Sequence, residues 1–522
     1  MNFITQNKNI IISILLLIAS LISIYSLYYF WVNKVYFIGS DTYYYWSIAD
    51  SVANSGRFMD ITIIPHEPTR TTQVGIIYFH LVLSKIGLIG ESRFIFIMFF
   101  YYFLHLSTIF PINQIAKKVG LTDLLPRVFL IVAYIGAWHV YMFQLLANND
   151  GFFNALSVWY IYLLVIIYQD IADLKVSSYF SIKNKFFWVL IIAGLLSYVL
   201  ILFRLQLFLI HCSAIFAATF LRKWRTLRWN IAFLFISCIA LINFLSSVDT
   251  LRILASVEKK SSQVLLGFFN EINRTLFDII PSLLYNYNLD NWIDCIVIPV
   301  IVIIVWMFFQ AIRQKDQNLL FLTTLCCSAL LWVTIFGYNS SRYILFIYAF
   351  MFLLMLMQSR TRLIGFFFVF LVLTSSVYKL VRPFPRTPAS RIILYLHENN
   401  ISLPSKDPLL LSPFERHPYF FLNSSTFQGD LTFEKILEKK GVFILANDKY
   451  THKKISEITS MAQKFNYSFQ TRSLIPDYNE NKVIKRFSIQ ELLGIKTRKQ
   501  QSRKSRYDLI QLYNFSKKKS NK

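Results

Sequence analysis

Between residues 9 and 379 the chain consists of long apolar runs separated by polar breaks, most of them short and two of them long, at 33–92 and 250–290. The runs lie at 9–32, 93–113, 127–147, 152–169, 186–203, 206–221, 231–249, 291–312, 318–336, 342–357 and 363–379. They are continuous and do not alternate every second residue, so they read as helices and not as strands of a barrel. Each approaches or reaches the length needed to cross roughly 30 Å of hydrocarbon. The pattern predicts an all-α polytopic membrane protein with about 11 transmembrane helices. The first run is too long for the apolar core of a signal peptide and has no small-residue cleavage site behind it, so it is expected to remain as a span.

Two interruptions organise the rest. The polar segment 33–92 contains a shorter apolar stretch, "VGIIYFHLVLSKIGL" (74–88). A full crossing here would invert every later loop, so an interfacial helix on the outer surface is expected; a short buried span with reversed downstream topology is the other reading. Three prolines in "VRPFPRTP" (381–388) then close the apolar region, because a helix cannot continue through them. Beyond it, β-like runs at 408–412 and 441–448 alternate with helical stretches at 431–440 and 452–465. This predicts a transmembrane domain over 1–380, a small C-terminal α/β soluble domain over 381–495, and a tail over 496–522.

Composition agrees with a membrane protein: 55% of the 522 residues are hydrophobic and only 16% charged, too apolar for a soluble chain of this length. The net charge is +25, and its placement orients the chain. With residue 1 inside, every inner loop is basic, including Lys117, Lys118 and Arg127, the run Arg222 to Arg228, and Arg360 with Arg362, as the positive-inside rule requires. The outer segments are then 33–92, 148–151, 250–290 and everything after about residue 380. The tail, with ten Lys and Arg against Asp508, is expected to be solvated or drawn to anionic headgroups. The membrane is the expected partner of this charge, and no nucleic acid. Short inner loops and a Lys/Phe-rich composition favour a bacterial inner membrane with the N-terminus cytoplasmic and the C-terminal domain periplasmic. The five cysteines have no metal-ligand spacing.

Candidate chemistry gathers at the outer ends of the spans. Asp41 follows the first span and Asp150, in "LANNDGFF", sits between the third and fourth. Each alone is also explained as a capping or interfacial residue; as a pair they are the candidate catalytic acids, because a partly dehydrated carboxylate gains basicity and can take a proton from a hydroxyl. Arg57, Arg70, Arg204 and Arg342 are candidate phosphate ligands, since the guanidinium fork donates two hydrogen bonds and keeps its charge; snorkelling to headgroups is the alternative for each. The aromatic run "YYYW" (43–46) is either an interfacial belt or a surface on which sugars stack. "IADSVANSGRF" (48–58) reads as a short helix closed by Gly56. Tyr44, Tyr45, His66, Glu67, Asn149 and Tyr343 are the candidates to hold sugar or acceptor. No DxD, no HExxH and no helically spaced His/Asp pair occurs, so no metal and no cofactor is expected; two carboxylates sharing an ion would form an incomplete shell.

The order of features resembles the GT-C superfamily of polytopic glycosyltransferases, within it the lipid A aminoarabinose transferases and protein O-mannosyltransferases. The resemblance rests on "GSDTYYYWSIADSVANSGRF" (39–58), with an acid soon after the first span, a tyrosine, a small helix and a glycine. It continues in "TRTTQVGIIYFHLVLSKIGLIGESRF" (69–94), with Arg70 at the basic position and Arg93 opening the second span, in Asp150 of "ANNDGFF", and in the pair Arg342-Tyr343. "RTTQV" replaces the family's proline-containing motif, the acidic doublet is a single Asp41, and a "WWDxG" type signature is absent, which argues against en bloc transfer to asparagine. The resemblance implies transfer of a sugar from a polyprenyl-phosphate donor to a glycan, lipid or protein hydroxyl on the outer face, with Asp41 as base, arginines on the departing phosphate and inversion at the anomeric carbon. The alternatives are a lipid-linked glycan polymerase or ligase, for which the late outer loop offers only Arg252, Lys259, Lys260 and Arg274, and a lipid or solute transporter, which would want midplane charges and repeated halves.

Overall fold

The computed structural model describes residues 8–32, 40–64, 66–68, 73–88, 90–146, 148–173, 184–245, 272, 274–284, 298–335, 341–381, 403, 408–412, 426–427, 430–439, 442–474 and 507–517. The chain forms two compact units, the first made of Met1–Val32, Arg70–Ile76 and Phe94–Arg382, the second of Asn33–Thr69, Ile77–Arg93 and Pro383–Lys522.

In chain order the elements up to the end of the apolar region are α1 (Lys8–Val32), α2 (Ser40–Ser55), β1 (Met59–Asp60), β2 (Ile63–Ile64), β3 (Glu67–Pro68), α3 (Val74–Lys85), α4 (Gly90–Ser107) and α5 (Ile109–Lys118). They continue with α6 (Leu124–Ile135), α7 (Trp138–Gln144), α8 (Asn149–Asp173), α9 (Lys185–Phe203), α10 (Leu207–Phe220) and α11 (Trp224–Leu245). A π-helical turn (Thr275–Ile279) leads into α12 (Ile280–Leu284), followed by α13 (Ile298–Gln314), α14 (Gln317–Ile335), a 3-10 helix (Ser341–Ile347), α15 (Tyr348–Met357) and α16 (Arg362–Val381).

The first unit is a helical bundle whose outer face is apolar. On α1 the exposed residues Ile10, Ile14, Leu17, Leu21, Ile24, Tyr28 and Trp31 form one stripe, with the spacing of a single helix face. Ala19, Ile22, Ser23, Ser26 and Phe30 are buried on the other side. Water would disfavour such a stripe, whereas hydrocarbon solvates it, so the chain is a multi-pass membrane protein. Among the described residues six helices are long and apolar enough to cross a membrane, and a seventh crossing results if α6 and α7 form one bent span. Each of the predicted eleven runs contains helix among its described residues, but α10, α13, the stretch 342–357 and 362–378 fall below that length, so eleven crossings are not established.

The predicted single span 127–147 is bent by 51° between α6 and α7. At the bend Gly136 lies so close to Leu373 that an added Cβ would stand 2.6 Å from its Cδ2. The amide freed there is not lost: Trp138 N–H donates to Ser376 Oγ at 3.0 Å, which satisfies a backbone group that lipid cannot. Polar side chains bind other helices together inside the bundle. Tyr141 donates to Ser23 Oγ at 2.7 Å, and Ser197, His211 and Ser237 form a buried cluster with contacts of 2.7 to 3.3 Å across α9, α10 and α11. Such contacts hold helices together where apolar burial gives no net drive.

The two ends of the bundle differ in chemistry. At one end Lys118 pairs with Gln169, Arg127 donates to Asn113 Oδ1 at 3.1 Å, and Arg362 meets Asp123 at 2.7 Å. These are the basic loops of the sequence pattern. Asn149 and Gln169 both lie on α8, roughly 30 Å apart along its axis at 1.5 Å per residue, which matches the hydrocarbon thickness. Asp150 therefore stands one membrane thickness away from the lysine and arginine ends.

The second unit contains β4 (Leu409–Leu411), β5 (Thr426–Phe427), α17 (Phe433–Glu438), β6 (Val442–Asn447), α18 (Asp448–Lys464), β7 (Tyr467–Ser473) and β8 (Tyr507–Lys517). They build a six-stranded sheet in the order β2-β5-β4-β6-β8-β7, parallel from β2 to β6 and antiparallel from β6 to β7. Leu409, Leu411, Phe433, Ile436, Ile444, Ile458 and Leu512 form its core. The predicted strands and helices of this part are present. Three expectations change. The first outer loop, predicted to go with the transmembrane domain, supplies β2, so its residues 33–69 and 77–93 group with the C-terminal residues. The basic tail is not wholly solvated: 507–517 forms β8, paired on both sides, with Leu509 and Leu512 buried. The short helix expected over 48–58 is instead α2, sixteen residues from Ser40 to Ser55, closed by Gly56 at φ +69 as expected.

Candidate functional site

Asp150 owes its position to the start of α8. The Asn148 side chain accepts from Asp150 N–H at 2.9 Å, the bond of a helix N-cap. Tyr101 in turn donates to the Asn148 carbonyl at 2.9 Å. Glycine follows because α8 begins against other backbone: a Cβ on Gly151 would overlap the Gln144 carbonyl and the Tyr101 ring. Phe152 stacks on Phe203 with centroids 4.2 Å apart, which joins the start of α8 to the end of α9.

Arg204 caps that end of α9 in extended backbone, φ −155 and ψ 136. Its Nη2 pairs with Asp150 Oδ1 and lies 3.4 Å from Asn149 Oδ1. Asp150 is 1% exposed and Arg204 3%. Removing either member of a pair this deep would leave the other to bear the full cost of leaving water. Asn149 completes the joint, its Nδ2 donating to Gln73 Oε1 at 2.6 Å and to the Phe203 carbonyl at 3.2 Å. Gly75 faces the Phe203 ring, where an added Cβ would overlap it.

Tyr343 in the 3-10 helix brings in a second guanidinium. Arg204 Cζ lies 5.1 Å from its ring centroid and Arg342 Cζ 4.9 Å, both within cation–π range. Arg342 Nη2 donates to Tyr343 OH at 3.0 Å. Two guanidinium groups thus share one ring, and Asp150 pairs with one of them, Arg204. Among the described residues no group of three or more His, Cys, Asp or Glu could hold a metal ion.

The structure brings together Asp150, Asn149, Arg204, Arg342 and Tyr343 from the sequence candidates. In the second unit Tyr45 is buried, Tyr44 half-buried and Arg57 exposed, while His66 is exposed with Nδ1 2.8 Å from the Ile63 carbonyl. Arg70 and the side chains of Asp41 and Glu67 lie outside the described residues. Gln73, Asn148 and Phe203 were not legible as site residues. Asn148 carried a signal, since an asparagine just before an acid and an apolar run is an N-cap pattern; Gln73 carried none.

The second unit holds a further buried cation. Arg93 donates from Nε to the Leu88 carbonyl at 2.9 Å, faces the Trp46 ring at 4.7 Å and approaches Asp50 at 3.9 Å. Burial pushes the Asp50 carboxyl above its usual range, with Arg93 and a hydrogen bond from Trp46 pulling the other way. Asp60, also buried, accepts at Oδ1 from Thr62 N–H at 3.0 Å, from Thr62 Oγ1 at 2.5 Å and from Ser47 Oγ at 3.2 Å, tying α2 to the turn after β1.

No protein-family model matches the chain, and no curated protein matches it in sequence. Among solved structures it is similar to the oligosaccharyltransferase of Archaeoglobus fulgidus in its apo form, at 11% identity over 90% of this chain and 70% of that one, with a TM-score of 0.48. It is similar to the same enzyme in complex with zinc and sulfate, at 11% identity over 84% and 68%, TM-score 0.45. It is likewise similar to AglB of that organism in complex with an inhibitory peptide and a dolichol-phosphate, at 11% identity over 91% and 74%, TM-score 0.44.

Proposed function

We propose that the chain is a membrane glycosyltransferase that moves a sugar from a polyprenyl-phosphate donor to a hydroxyl of a glycan, lipid or protein acceptor on the outer face of a bacterial inner membrane. The observation that carries the reading is the cluster of Asp150, Arg204, Tyr343 and Arg342 at the end of the bundle remote from the basic loops. A lipid-borne phosphate arrives at that level with its chain among apolar spans, and guanidinium groups are its natural partners. In this reading the N-terminus is cytoplasmic and the C-terminal residues periplasmic.

The chemistry is a single displacement. Asp41 accepts the proton of the acceptor hydroxyl, whose oxygen bonds to the anomeric carbon as the bond from that carbon to the phosphate oxygen breaks. The configuration inverts, and polyprenyl phosphate leaves with one more negative charge than it carried as the diester. Arginine stabilises that charge, with Arg342 the candidate at the cluster; arginine suffices for a monophosphate, so no metal is required.

The test is Asp41→Asn in membranes supplied with radiolabelled lipid-linked sugar. Transfer is expected to fall at least about a hundredfold, the usual share of a general base, with expression and melting unchanged. Label transferred at the normal rate would remove Asp41 from the role. A polymerase or ligase acting on diphosphate-linked glycans would instead retain activity in this variant and depend on Arg252, Lys259, Lys260 or Arg274.

A further inference from the structure

We infer that Asp150 reads a hydroxyl of the donor's sugar, and that Arg204 is its positioning residue and not a ligand of the lipid phosphate. The inference rests on the transferase reading and divides the labour within that site. Asp150 Oδ1 is taken by Arg204, whereas Oδ2 of the same buried carboxylate has no hydrogen-bond partner among the described residues. Buried polar atoms in folded proteins nearly always have one, and an ionised carboxylate oxygen can only accept. Oδ2 therefore calls for a donor supplied by a ligand.

The charge around it says which kind. Asp150 already has a full positive partner in Arg204 and lies in the first turn of α8, where the helix dipole also favours its negative charge. A neutral O–H fits this balance better than a second cation. Sugar hydroxyls are such donors and bond short to a carboxylate. The oxygen is also held in place: Asn148 caps Asp150 N–H, and Asn149 next to it is fastened to Gln73 and to the Phe203 carbonyl. A site built to hydrogen-bond a hydroxyl discriminates strongly against ligands that lack it. Arg204 holds Asp150 through Nη2, and Arg342, on the other contact of the Tyr343 ring, is assigned the phosphate in this cluster.

The experiment is equilibrium binding to the purified full chain in lipid nanodiscs. The probes are bare undecaprenyl phosphate and undecaprenyl phosphates carrying a glucosyl, mannosyl or arabinosyl group. Wild type is expected to prefer at least one sugar-bearing lipid by roughly tenfold or more. Asp150→Asn and Arg204→Gln should abolish that preference while changing affinity for the bare lipid by less than about twofold, and Arg204→Lys should restore part of it. Arg342→Gln should weaken both kinds of lipid by roughly tenfold. The double variant Asp150→Asn with Arg204→Gln, which removes both charges, gives the same comparison if a single variant fails to fold. The inference is overturned if Arg204→Gln weakens bare lipid as Arg342→Gln does, if Asp150→Asn keeps the sugar preference, or if wild type binds all the lipids alike. Wild type that binds none of them sinks the transferase reading itself.

Discussion

The buried pair of Asp150 and Arg204 gives the sharpest prediction of stability. Arg204→Met keeps the length of the side chain and much of its packing on Tyr343 but removes the cation. The carboxylate left behind is 1% exposed, so solvent cannot take over, and stranding one member of a buried pair costs about 3–5 kcal/mol. The lost contact with the Tyr343 ring adds about 0.5–2 kcal/mol. Asp150→Asn should cost less, about 2–3 kcal/mol, because the amide oxygen still accepts from Arg204 while its charge goes unmatched. Combining the two changes removes both charges, and the double variant should cost less than about 2 kcal/mol. The coupling is therefore large and of the sign that marks direct contact. It is measured by unfolding the purified chain with SDS in mixed micelles, followed by tryptophan fluorescence. If the double variant equals the sum of the single ones within about 0.5 kcal/mol, the pair does not act as a joint and the reasoning fails.

Two more outcomes concern the second unit. Ending the chain at residue 506 removes β8, which pairs with both β6 and β7 and buries Leu509 and Leu512; limited proteolysis should then cut within 442–474, and full protection of that stretch would show that β8 is dispensable. Asp50 titrates above the usual carboxylate range because burial outweighs Arg93 and Trp46. The folded state thus holds this proton more tightly than the unfolded one, and its contribution is present below about pH 4 and lost as pH rises through the raised value. Asp50→Asn cannot ionise, so its melting temperature should gain on wild type as pH goes from about 4 to 8; a gap that shrinks or reverses over that range would contradict the assignment.

The parts of the fold that repeat a local rule were legible in the sequence. Continuous apolar runs gave the helices of the bundle, basic loops gave its two ends, and the alternation of short strands with helices after residue 408 gave most of the second unit. The bend at Gly136 and Ala137 was not legible, because the run 127–147 stays apolar throughout and the freed Trp138 amide is satisfied by Ser376, far away in sequence. β8 was hidden by its flanks: lysines and arginines on both sides outweigh an eleven-residue strand in any compositional reading. The place of β2 beside β5 was invisible for a related reason, since a two-residue strand has no periodicity and exists only because its partner is there.

The same division holds at the site. The sequence pattern by itself set Asp150, Arg204 and Arg342 at span ends remote from the basic loops, because hydrocarbon excludes charge from the interior of a span and fixes where it can stand. Only the tertiary structure decided which of them meet. Asp150 and Arg204 are brought together by stacking of Phe152 on Phe203 and by the close approaches at Gly75 and Gly151, contacts between residues far apart along the chain. Once they meet, each neutralises the other, and a guanidinium that the sequence offered to a phosphate is committed to a carboxylate. Partner choice between buried charges depends on distance and on burial together, and neither quantity is written in a linear pattern of residue types.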